Sequence, residues 1–193
     1  MSSPDSVRFP FAGTELRIDE ETLREVPDDL AAIQAWCEMH PEDPRVVSGL
    51  RLLDRLEEAE ELGRRVLEDP SLSPLQRAAR RARLARVLHW QGRYVEAEEE
   101  FAIAAEETGF DDPIAPQPLL LLATILQQRA TSRFDQWQRE ALSAHADPER
   151  ARRLRAAATE DAERALAIRT GCGAGPAQLA SSRQTLRRLT EGA

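Results

Sequence analysis

Few residue types in this chain could carry out a reaction, and their spacing is uninformative for catalysis. His40, His89 and His145 are scattered, without the spacings that bring imidazoles together on a metal ion. Cys37 and Cys172 have no histidine beside them in sequence and form neither a disulfide framework nor a metal motif. The glycines around Cys172 follow no predicted strand and match no phosphate-binding loop, so that segment reads as a linker. The chain holds 34 Asp and Glu residues, yet no pair is set apart for acid–base work. No catalytic residue, metal or cofactor is expected, and the chain is not expected to be an enzyme.

Arginine is the more suggestive residue. Arg77, Arg80, Arg81, Arg83 and Arg86 crowd one segment, and Arg150, Arg152, Arg153 and Arg155 another. Such clusters can grip carboxylates or phosphates. The plainer account is pairing with Glu96, Glu98, Glu99 and Glu100, plus solvent exposure. All 26 basic residues are arginine, since lysine and asparagine are both absent. A GC-rich coding sequence explains that bias, but arginine's planar fork still differs physically from an ammonium. The net charge of −8 is uneven: residues 1–70 hold 18 acids and 8 arginines, whereas 111–193 hold 10 and 12. An acidic chain repels phosphate backbones, so nucleic acid is not an expected partner. The asymmetry permits N-terminal docking on arginines, head-to-tail association, or simply a solvated acidic surface.

The elements that position these residues read as helices. Abundant Ala, Leu, Arg and Glu with 5% aromatic residues favour helix over strand. In residues 1–26, Ala12-Gly13 separates two short apolar stretches that predict a hairpin or extended arm. Asp19 is placed to cap a brief helical turn. Helices are then expected at Pro27–Met39, Val46–Asp54, Arg55–Glu68, Pro74–Gln91 and Tyr94–Thr108. Ser73 can cap the fourth, and Gly92 can supply the left-handed residue that ends it. A buried helix at Leu119–Leu126 and a more polar one at Gln127–Ala144 follow, then Pro148–Arg169 and a closing helix at Pro176–Leu189. No secretory signal and no membrane-length apolar run stand out, so a cytoplasmic location without membrane contact is expected.

Between Leu84 and Ala104, the order Leu84-Ala85, Leu88, Gly92, Tyr94, Ala97, Phe101, Ala104 sets large side chains against small ones across a helix turn. This pattern resembles the tetratricopeptide repeat, and Arg55 to Pro70 resembles the second helix of another such unit. Gly63 stands where that family has a large aromatic, which predicts looser or unusually close packing. Ala59 and Ala97 lie 38 residues apart, somewhat more than the usual repeat of about 34. The chain accordingly divides into an N-terminal arm (1–26), tetratricopeptide-like repeats (27–109), and divergent helices that complete or cap the array (110–193).

The resemblance implies an all-α antiparallel helix-pair array, a right-handed α-solenoid whose first helices line a concave face. Carried onto matched positions, it points to Arg51, Ala82, Arg86, His89 and Trp90 as groove residues, with Arg83 beside them. Trp90 fits a binding hot spot, or ordinary packing at the helix end. The family's lysine and asparagine clamp for acidic chaperone tails has no counterpart here. The function so implied is a non-catalytic scaffold or adaptor that binds another protein or peptide. The alternative is a self-assembling structural protein, a homo-oligomer joined through acidic N-terminal and Arg-rich surfaces. The packing pattern predicts that Leu88→Ala lowers stability by about 2–5 kcal/mol, readable as a reduced thermal midpoint.

Overall fold

Ala12 and Gly13, both with positive φ (50° and 79°), close the tight turn of a hairpin. The computed structural model describes residues 7–109, 116–143 and 147–191; His145 and most of the 109–118 connection lie outside them. Strand β1 (Arg8–Phe11) pairs antiparallel with β2 (Thr14–Ile18), Phe9 opposite Leu16. Pro10 is tolerated because β1 is an edge. A third strand, β3 (Glu25–Pro27), pairs antiparallel with β2 and completes a meander. This strand was not foreseen. Pro27 belongs to it rather than to the first helix, and Leu16 faces it in the ladder.

Eight helices follow among the described residues, so the protein is mostly helical with a small sheet at one end. Helix α1 (Leu30–Met39) begins after Asp29, whose carboxylate accepts from the Ala32 amide at 3.0 Å. Helices α2 (Val46–Leu52) and α3 (Leu56–Arg65) are separated at Asp54 by a left-handed residue, φ 60°. Ser73 and Gln76 form a capping box at the start of α4 (Pro74–Trp90). Gly92, at φ 76°, turns the chain into α5 (Tyr94–Glu107), as expected of it. Bonds from Arg81 to Glu100 and Glu107 show that α4 and α5 run antiparallel.

The segments expected as two helices at 119–144 form one, α6 (Pro116–Ala141), about 39 Å long. Its polar half stays helical because Arg129 and Arg133 both reach Asp161 on α7 (Pro148–Gly171). Helix α8 (Pro176–Thr190) returns along α7, and Arg155 of α7 donates to the Leu189 carbonyl at its end.

Small residues set the spacing inside. Ala59, Ala85, Ala97 and Ala104 are fully buried, as are Phe101 and Leu88 nearly so. A Cβ on Gly63 would lie 3.2 Å from Leu84 Cδ1, so the missing aromatic corresponds to close packing of α3 on α4. Tighter still is Gly49 of α2, where a Cβ would fall 2.4 Å from Cys37 Sγ on α1. Elsewhere Gly→Ala within a helix gains roughly 0.5–1 kcal/mol. Here overpacking outweighs it, and Gly49→Ala should cost about 1–3 kcal/mol. Adding Cys37→Ala removes the obstructing sulfur, so denaturant melts of the double variant should show the Gly49→Ala penalty abolished.

Candidate functional site

On α4, Arg86, His89 and Trp90 are spaced to share one face. Arg51 of α2 meets them there, so four of the six anticipated residues converge, while Ala82 packs instead in the core shared with Ala97 and Phe101 of α5. Arg83 does not join them. It donates to its own helix at the Ala79 carbonyl, and burial pulls its pKa down, with Asp43 as the nearby opposing charge.

The convergence is a covered one. Arg51, Arg86 and His89 retain 4%, 3% and 0% of their surface, which makes this patch interior rather than an open groove. The cover is the N-terminal meander. Glu25 of β3 accepts from Arg51 Nη1 at 3.0 Å and from Arg86 Nη2 through the same oxygen. Burial opposes the Glu25 charge, but Arg51 and Arg86 outweigh it and bring its pKa down to about 2. Burial lowers the Arg51 pKa to about 10, which leaves it charged at neutral pH. The Arg51 and Arg24 guanidinium carbons sit 4.5 and 5.2 Å from the Trp90 ring centre, within cation–π range. Trp90 is thus the apolar floor beneath two cations.

His89 links this triad to a second carboxylate. Its Nδ1 lies 3.1 Å from Arg86 Nη1, which can only donate, so Nδ1 accepts. Its Nε2 then carries the proton and donates to Asp135 Oδ2 of α6 at 3.2 Å. Geometry therefore fixes His89 as the neutral Nε2–H tautomer. Burial acts in the same direction and, with Arg86 and Arg24 adding to it, lowers the pKa to about 4 against the pull of Asp135. Asp135 Oδ2 also accepts from Arg24 Nη2 at 2.6 Å and from the Tyr94 hydroxyl at 3.0 Å. Burial raises the Asp135 pKa, but the His89 and Arg24 bonds outweigh it and the net shift is downward. Burial and Asp135 push the Tyr94 phenol upward.

Glu25, Arg24, Tyr94 and Asp135 complete the cluster and were not foreseen as its members. The sequence carries one signal for Glu25, the acidic N-terminal third set against arginines downstream. The arginine run of α4 otherwise serves structure: Arg77 and Arg80 donate to the Leu67 and Val66 carbonyls, and Arg81 pairs with Glu100 and Glu107. Among the described residues no group of His, Cys, Asp or Glu is arranged to hold a metal, and no helix is long and apolar enough to cross a membrane. Comparison of the chain with family models, with curated proteins and with solved structures found no match.

Acid should dismantle this cluster in two steps. Between pH 6.5 and about 4 the unfolded chain binds a proton at His89 that the folded chain refuses, so stability falls as pH drops through that window. From about pH 4.5 down through about 2, protonation of Glu25 removes the stabilisation it gains from Arg51 and Arg86. Urea midpoints measured across pH should show both steps. In His89→Gln, whose amide can still accept from Arg86 and donate to Asp135, the step between pH 6.5 and 4 should disappear.

Proposed function

We propose that the chain is a non-catalytic protein-binding module of tetratricopeptide-like helix pairs, and that the face formed by α2 and α4 takes an extended acidic segment. The observation that carries this reading is Glu25. An extended strand already lies on that face and delivers one carboxylate to Arg51 and Arg86. The chain in effect occupies its own receptor surface, and a partner with the same chemistry would compete for it. His89 supports a binding rather than a catalytic role, because both ring nitrogens are engaged by Arg86 and Asp135. The aromatic floor of Trp90 beside two guanidiniums matches the composition of protein-binding hot spots.

An occupant held on the same chain acts at high effective concentration, so the parent protein should bind an external segment weakly. The test uses a labelled peptide with the sequence of Arg17–Asp28, followed by fluorescence anisotropy. The Glu25→Ala variant should bind it at least about tenfold more tightly than the parent does. The same peptide carrying Gln in place of Glu25 should not bind. Circular dichroism checks that the variant keeps its helices. A helical Glu25→Ala protein that ignores the peptide, or binds both peptides equally, overturns the reading.

A further inference from the structure

Behind the meander lies a cavity of about 270 Å³, bounded by β-strands on one side and by α6, α7 and α8 on the other. Phe9, Leu16 and Ile18 form an apolar wall, and the helices contribute a polar one that includes Gln128, Thr185 and Arg169. Arg169 retains 5% of its surface, and among the described residues no carboxylate forms an ion pair with it. Its Nη1 donates to the Gln127 side chain, the Gln178 carbonyl at 3.2 Å and the Ser182 hydroxyl at 2.7 Å, all neutral acceptors. Among the described residues Nη2 has only the Thr124 hydroxyl at 3.3 Å, and Nε has no partner. Burial lowers the Arg169 pKa to about 10, with no opposing charge to restore it.

The Nε/Nη2 edge is one this protein uses repeatedly to grip carboxylates with two parallel bonds. Arg129 holds Asp161 through Nε and Nη2, both at 2.7 Å. Arg55 holds Glu58, and Arg133 holds Glu98, by the same pair of nitrogens. On Arg169 that edge meets no anion among the described residues. Buried cations are ordinarily paired, so a counter-ion is the missing element.

We propose that this cavity binds a small monocarboxylate with a short apolar body, its carboxylate held by Arg169 and its hydrocarbon against Phe9 and Ile18. The volume lies just below the range typical of ligand pockets, which sets the size class. A phosphate fits less well. The other cation on the cavity, Arg86, is already engaged by Glu25, which itself lines the cavity and would repel a dianion, and the facing wall is apolar.

The probe is hexanoate, added to the full chain and followed by calorimetry and thermal melting. Hexanoate should bind saturably and raise the thermal midpoint, while hexanol and inorganic phosphate should do neither. Arg169→Gln should weaken binding at least about tenfold, the scale of a charge-assisted hydrogen bond. Because that variant removes a buried side chain, the parent protein gives an independent readout. Its Arg169 Nε–H resonance, assigned by its loss in Arg169→Lys, should shift as hexanoate is added. An unmoved resonance overturns the proposal. So does equal binding of hexanol, which would mean filling by apolar volume alone, or of phosphate, which would mean a site for inorganic anions. Binding of hexanoate that Arg169→Gln leaves intact, in a folded variant, also overturns it.

Discussion

Two arginines and one glutamate, taken out of water together, constrain most of this structure. Arg51 comes from α2, Arg86 from α4 and Glu25 from β3, so their meeting fixes three separate elements against one another. The charge count around them is tight. Arg24, Arg51 and Arg86 bring three positive charges, and Glu25 and Asp135 bring two negative ones. The excess cation is met by the π face of Trp90, the weakest of these partners. A protonated His89 would add a fourth positive charge with no counterpart, which is why the neutral tautomer is built in. Such buried ion clusters contribute little net stability compared with apolar packing, but removing one member costs about 3–5 kcal/mol. The cluster therefore acts more as a registration device than as a source of stability.

The same arginine chemistry recurs at the ends of α3 and α8. Arg80 caps the Val66 carbonyl after α3, and Arg155 caps Leu189 near the end of α8. A forked cation with five donors can satisfy orphan carbonyls and still grip a carboxylate. A chain without lysine thus has a consequence in the fold, whatever its origin in coding bias. The clusters that look like recognition surfaces in sequence are, on α4, largely inter-helix fastenings.

Local signals were the legible ones. Ser73, Pro74, Gln76 and Gly92 delimit α4 by their own chemistry, and each acts within a few residues of its place in sequence. Ala97 and Phe101 revealed the packing of α5 because a helix repeats its faces regularly. The continuity of α6 was not legible, because its second half buries Arg129 and Arg133 against Asp161, and apolar periodicity does not register a face made of charges. Strand β3 was missed for the opposite reason: three residues are too few to display alternation. The cluster was half legible on the same grounds. Arg86, His89 and Trp90 share a helix face, whereas Asp135 lies 46 residues from His89 and only the tertiary fold unites them.

The meander also couples the two ends of the chain. Leu23, held in a left-handed conformation at φ 57°, packs with Phe134 of α6 and Leu189 of α8. Gln184 and Arg188 of α8 donate to the Ile18 and Glu21 carbonyls, contacts spanning 166 and 167 residues. Releasing Glu25 from its arginines therefore means withdrawing Leu23 from a core built by the last helices, at about 1.5–3 kcal/mol for that side chain alone. Added to the lost ion pairs, this makes the covered state strongly dominant. On the proposed reading, a competing segment would have to supply an apolar side chain for the Leu23 site as well as a carboxylate for Arg51 and Arg86. One that supplied only the carboxylate would lose at least about tenfold in affinity to the exposed apolar surface. Selectivity on this face would then come from pairing an acid with a hydrophobe at the spacing of Leu23 and Glu25, a requirement that charge complementarity alone does not meet.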